Sequence, residues 1–77
     1  MAENIFNRRI LFVEDDSRLL NEMTGWFRER GNLVWGADCL REAKAILENV
    51  QPEMIVLDVV LPDGSWLELL KNLPSLP

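Results

Sequence analysis

Three carboxylates stand at the ends of apolar runs: Glu14 and Asp15 follow Ile10-Leu11-Phe12-Val13, and Asp58 follows Met54-Ile55-Val56-Leu57. A run of four apolar residues without polar alternation is how a strand buried on both faces of a parallel sheet reads. In open α/β sheets functional groups collect where such strands end and the chain reaches solvent. If the two strands are neighbours, Glu14, Asp15 and Asp58 converge on one edge of the sheet. Carboxylates crowded in this way repel one another, and a hard cation neutralises them. All-oxygen ligation with few protein groups and open water positions suits Mg²⁺. With the metal in place one carboxylate can attack phosphorus, because the cation screens both the attacking oxygen and the transferring group. The product is an aspartyl phosphate. The competing reading is that Asp58 merely begins a turn, as Asp often does after a strand. Two apolar runs, each ending in acid and separated by two helical segments, favour the site.

The intervening segments must position these groups. From Ser17 to Arg30, Leu19, Leu20, Met23, Trp26 and Phe27 fall at the one-sided spacing of an amphipathic helix, with Trp26 and Phe27 as its core-facing aromatics. Asp16 or Ser17 can cap its start, and Gly31 after Arg28, Glu29 and Arg30 can end it. Leu33 to Ala37 is a short strand suited to a sheet edge. Asp38 then caps a second helix with Leu40, Ala43, Ile46, Leu47 and Val50 on one face, closed by Pro52. Cys39 falls in its first turn and reads as a small packing residue. After the turn chemistry of Leu61-Pro62-Asp63-Gly64, Leu67, Leu69, Leu70 and Leu73 give a third, shorter helix. The strand–helix alternation, three times over, predicts βαβαβα with right-handed crossovers. Residues 1–7 read as a leader, 8–72 as three βα units, and 73–77, with two prolines, as a connector leading onward.

Composition narrows the partners. Seventy-seven residues hold one small domain, and 48% hydrophobic with 27% charged residues is the balance of a globular chain. A net charge of −5 repels nucleic-acid phosphates and anionic lipid, so this segment is expected to bind neither nucleic acid nor membrane. One cysteine and no histidine remove internal disulfides and the usual soft-metal sites. The run Ile10 to Val13 is too short for a signal-peptide core or a membrane span, so a cytoplasmic setting is expected.

The segments Ile10-Leu11-Phe12-Val13-Glu14-Asp15-Asp16 and Pro52-Glu53-Met54-Ile55-Val56-Leu57-Asp58-Val59-Val60-Leu61-Pro62-Asp63-Gly64 together resemble the receiver domain of two-component response regulators. The resemblance covers nearly the whole chain. It implies a flavodoxin-like, three-layer α/β fold with a parallel sheet, of which three of five βα units are present in strand order 2-1-3. It implies that Asp58 is the phosphoacceptor, that Asp15 binds Mg²⁺ directly, and that Glu14 supports the metal, often through water. The Val60 backbone carbonyl would be a further ligand, and a histidine kinase or phosphotransfer protein the phosphodonor. Such a chain is a switch that assists its own phosphorylation, not an enzyme in the usual sense.

The departures are equally specific. The family's fourth and fifth strands carry a Ser or Thr and a Lys that meet the phosphoryl group, and neither can be assigned here; Lys71 lies in the third helix. Trp66 stands where the family often has Gly, and packing over the rim of the local core is its simplest role. The order 2-1-3 leaves the apolar strand Met54 to Leu57 at an edge, which predicts self-association through it unless further chain covers it. The alternative function is a pseudo-receiver, a protein-interaction module that signals without phosphate; intact Glu14, Asp15 and Asp58 argue against it. A phosphate-ester hydrolase would need a second Asp two residues after the nucleophile, where Val60 stands.

Overall fold

The computed structural model of the chain describes residues 6–58 and 60–71, with Val60 and Trp66 described in their backbone only. Most of the leader and the connector at 73–77, with Leu73, lie outside the described residues, as does the packing of the Trp66 ring. The elements run β1 (Arg9–Val13), α1 (Ser17–Glu29), β2 (Leu33–Ala37), α2 (Leu40–Asn49), β3 (Met54–Leu57), β4 (Val60–Leu61), β5 (Gly64–Ser65) and α3 (Trp66–Lys71). The three predicted strands form one parallel sheet in the order β2-β1-β3. β2 and β3 have the predicted extent, and β1 begins one residue before its apolar run, at Arg9.

β1 is the axis of the sheet, and Ile10, Leu11, Phe12 and Val13 are all essentially inaccessible to solvent. Alternation along the strand divides them between two cores. Ile10 and Phe12 join Val34 beneath Leu20, Met23 and Phe27 of α1. On the opposite face Leu11, Val13 and Ala37 meet Leu40 and Ala43 of α2, Leu61, and Leu69 of α3. Helices on both faces of one parallel sheet give the three-layer, flavodoxin-like arrangement.

α1 begins and ends by local chemistry. The Asp16 carboxylate accepts from the Arg18 and Leu19 amides at 3.0 and 3.1 Å, satisfying two of the N–H groups a helix start leaves open. At the other end Gly31 takes φ +86°, a conformation that costs glycine little. Its amide reaches Arg28 O at 3.0 Å while the Asn32 amide reaches Phe27 O at 3.3 Å, a Schellman closure. Asn32 is buried, and its side chain accepts from the Arg8 amide at 3.0 Å and donates to Phe27 O at 3.0 Å, tying the end of α1 to the start of β1.

Three sequence expectations change. Trp26 does not face the core: it is 48% exposed, with its ring edge-on to Phe27 and the Arg30 guanidinium 3.4 Å from its centroid. A thirteen-residue helix lying over two short strands buries a narrower stripe than its apolar spacing allows, and Phe27, stacked at 5.1 Å on Phe12, takes the inner place. Asp38 does not cap α2; the cap position is Cys39, whose side chain makes no capping bond. Met54 and Val56 are not buried, being 43% and 37% exposed, because α1 packs on β1 and β2 and leaves their side of β3 open. Among the described side chains of α3, Leu69 reaches the core while Leu67 and Leu70 are exposed.

Candidate functional site

Both ends of β3 are tied to β1. At the amino end Glu53 accepts from the Arg9 amide at 3.0 Å and from Arg8 Nη1 at 3.1 Å, while its own amide donates to Arg9 O at 2.8 Å. These donors, the Arg9 amide first and the Arg8 guanidinium second, hold the Glu53 carboxyl below its ordinary pKa. At the carboxyl end the Asp58 amide donates to Val13 O at 2.9 Å, and the Glu14 amide next along the chain donates to Ala37 O of β2 at 2.9 Å. The strand ends are thereby laced together where the acids emerge.

Glu14, Asp15 and Asp58 do converge. Each offers a carboxylate oxygen, and the three oxygens lie within 4.8 Å of one another, with Glu14 and Asp58 half-buried and Asp15 exposed. The Asp16 amide, 3.2 Å from Glu14 Oε2, draws the Glu14 pKa down, but partial desolvation and the neighbouring Asp58 and Asp15 carboxyls together outweigh it. The net shift is upward, as crowding of like charge requires. This donor set is all oxygen, compact, and open to water on the Asp15 side, so it fits a hard divalent cation such as Mg²⁺. Val60, expected to lend a backbone carbonyl, lies in β4, two residues beyond Asp58, in a short hairpin that pairs it with Ser65.

Sequence reasoning did not foresee the work done by Asp63. Its carboxylate accepts from the Leu40 amide at 2.7 Å and the Arg41 amide at 2.9 Å, capping α2 from 22 residues away in sequence. These amides, Arg41 first and Leu40 second, hold the Asp63 carboxyl below its ordinary pKa. A local signal was present in the absence of any Ser, Thr, Asp or Asn at position 39, which left the α2 start without its own cap. Asp38, Cys39 and Glu42 form a second close group at this helix start, in which Glu42 Oε1 accepts from the Asp38 amide at 3.1 Å. Among the described residues no helix is long and apolar enough to cross a membrane.

Comparison with known proteins finds relatives among regulatory proteins. The chain is 33% identical over 95% of its length to the photosynthetic apparatus regulatory protein RegA of Rhodobacter capsulatus, covering 42% of that protein. It is 32% identical over 90% of its length to the uncharacterized transcriptional regulatory protein YvcP of Bacillus subtilis, covering 30% of it. An uncharacterized 14.6 kDa protein of Leptolyngbya boryana is 31% identical over 88% of the chain and is covered to 52%. The chain thus spans well under two thirds of the curated relatives it matches. No family model matches it.

Proposed function

We propose that the chain, similar over 90–95% of its length to the regulatory proteins RegA and YvcP, is the receiver part of a two-component response regulator, a phosphoacceptor switch in which Asp58 takes a phosphoryl group from a histidine kinase or phosphotransfer protein. The observation that carries this reading is the convergence of Glu14, Asp15 and Asp58 within 4.8 Å at the carboxyl end of the parallel sheet. Asp58, held by its amide to β1, presents the attacking oxygen. Asp15, the exposed member, and Asp58 would hold Mg²⁺ directly, with Glu14 supporting it and the Val60 carbonyl as a further ligand. Bound there, Mg²⁺ would supply charge neutralisation for the attacking and transferring groups. An oxygen of Asp58 forms the new O–P bond as the P–N bond to the donor histidine breaks, and the released imidazole takes up a proton. The chain's part is to hold that oxygen in place, so the role is that of a self-assisting acceptor rather than an enzyme.

A cytoplasmic setting follows from the donor, since histidine kinases present their phosphohistidine there. The open edge of β3, with Met54 and Val56 exposed beside it, supports self-association of the chain through that strand.

The test uses acetyl phosphate as a small phosphodonor, with and without Mg²⁺, and intact-mass analysis. The expected result is a gain of one phosphoryl group that requires Mg²⁺, is cleaved by hydroxylamine, and is absent in Asp58→Asn. Modification that persists in Asp58→Asn, or proceeds equally with EDTA, would reject the assignment.

A further inference from the structure

The turn that follows β3 is clasped onto the start of α2 by more than one contact. Asp63 supplies one carboxylate oxygen to the Leu40 amide and the other to the Arg41 amide. Beside it Gly64 lies so close to Leu40 that a Cβ there would stand 2.6 Å from Leu40 Cδ2. Leu61, Leu40 and Leu69 are buried in one cluster, so the β4–β5 hairpin shares the core of α2. Lys44 of α2 and Glu68 of α3 approach to 3.9 Å and continue the contact outward.

The same α2 start is tied to the other side of the acidic trio. Ala37, three residues before Leu40, accepts the Glu14 amide at 2.9 Å. The segment from Ala37 to Arg41 therefore touches both chains that bring carboxylates to the site: the Glu14 segment through Ala37, and the Asp58 segment through Asp63.

We infer that Asp63 is a positioning residue for the acidic site: by holding the hairpin that begins two residues after Asp58 against the first turn of α2, it fixes where Asp58 stands relative to Glu14. The inference rests on the reading of that trio as a Mg²⁺ site and names a residue that acts on it without touching it. If two contacts are coupled through one set of backbone positions, each changes the other by the same factor, and here the shared positions favour both. Metal at the carboxylates then tightens the Asp63 cap, and loss of the cap weakens the metal.

The experiment is a Mg²⁺ titration of the chain and of its Asp63→Ala and Asp63→Asn variants, followed by amide chemical shifts, with hydrogen exchange of the Leu40 and Arg41 amides measured at each end of the titration. In the unsubstituted chain Mg²⁺ should slow exchange of those two amides about tenfold, within the usual span of such couplings. Asp63→Ala should weaken Mg²⁺ by a similar factor, and Asp63→Asn, which keeps one accepting oxygen, by less. A purely structural cap would lower stability in the variants yet leave exchange at Leu40 and Arg41 indifferent to Mg²⁺, and that outcome overturns the inference. Equal Mg²⁺ affinity in the folded variants overturns it as well while leaving the metal reading intact. No Mg²⁺ response in the folded, unsubstituted chain removes the metal reading and the inference with it. Should Asp63→Ala fail to fold, the exchange measurement and Asp63→Asn still decide.

Discussion

The Asp58 amide is bonded to the Val13 carbonyl at 2.9 Å, so the acceptor candidate on β3 is fixed to the residue that immediately precedes Glu14. That rung ties together the two stretches of backbone that carry the carboxylates.

Metal-free, the trio should be a source of instability. Asp58→Asn removes one of the charges that push the Glu14 pKa upward. A carboxyl raised above its unfolded value costs nothing below that value and an increasing amount as pH rises through the folded one. At neutral pH and in EDTA the variant should melt at a higher temperature than the parent chain, and saturating Mg²⁺ should erase or reverse the difference. Paired thermal melts measure this.

Two other carboxyls titrate in the opposite sense. Glu53 is lowered by the Arg9 amide and by Arg8, and Asp63 by the Arg41 and Leu40 amides. The stability each contributes is present above its unfolded pKa and is lost as pH falls through the lowered folded value. Denaturant midpoints should therefore decline on acidification below about pH 4, the ordinary carboxylate range. The decline should be shallower in Glu53→Gln and in Asp63→Asn.

The core on the α1 face depends on a single ring. Phe12 is 1% exposed and stacks on Phe27 at 5.1 Å. Phe12→Ala should cost about 3–5 kcal/mol, comparable with much of the stability of a domain this small, and circular dichroism should show a largely unfolded population at 25 °C.

Asn32→Ala tests the buried polar tie. It leaves the Arg8 amide without the side-chain oxygen it meets at 3.0 Å and should cost about 1–3 kcal/mol by urea titration. The trio at the far end of the strands should be undisturbed, so Mg²⁺ affinity in the folded variant should stay within about twofold.

Val56→Lys places a charge on the open side of β3, where the parent residue is 37% exposed. Inward-facing or edge lysines oppose strand pairing between copies. Sedimentation velocity across a concentration series should show association of the parent chain and a monomer for the variant. Identical sedimentation would remove β3 as the contact.

What the sequence disclosed follows from which interactions are local. β1 and β3 were readable because an unbroken apolar run of four residues bounded by polar ones suits a strand of a parallel sheet, and Gly31 because only a left-handed residue closes a Schellman turn cheaply. The convergence of Glu14, Asp15 and Asp58 needed one further step, the adjacency of β1 and β3, which the family resemblance supplied through the order 2-1-3. Trp26 was misplaced because periodicity reports which residues share a helix face and not how wide a stripe the sheet will cover. The true cap of α2 was illegible since its donor and acceptor lie 22 residues apart and no local pattern connects them. The exposure of Met54 and Val56 depends on where α1 sits, which is a property of packing and not of their own run.

The placement of β1 between β2 and β3 gives it one nearer and one farther partner in sequence. Ile10 meets Val34 of β2 beneath α1. Met54 can reach Ile10 only after a longer loop has closed, at a higher entropic cost. The pairing that brings Asp58 beside Glu14 and Asp15 is thus the one closed across the longer stretch of chain.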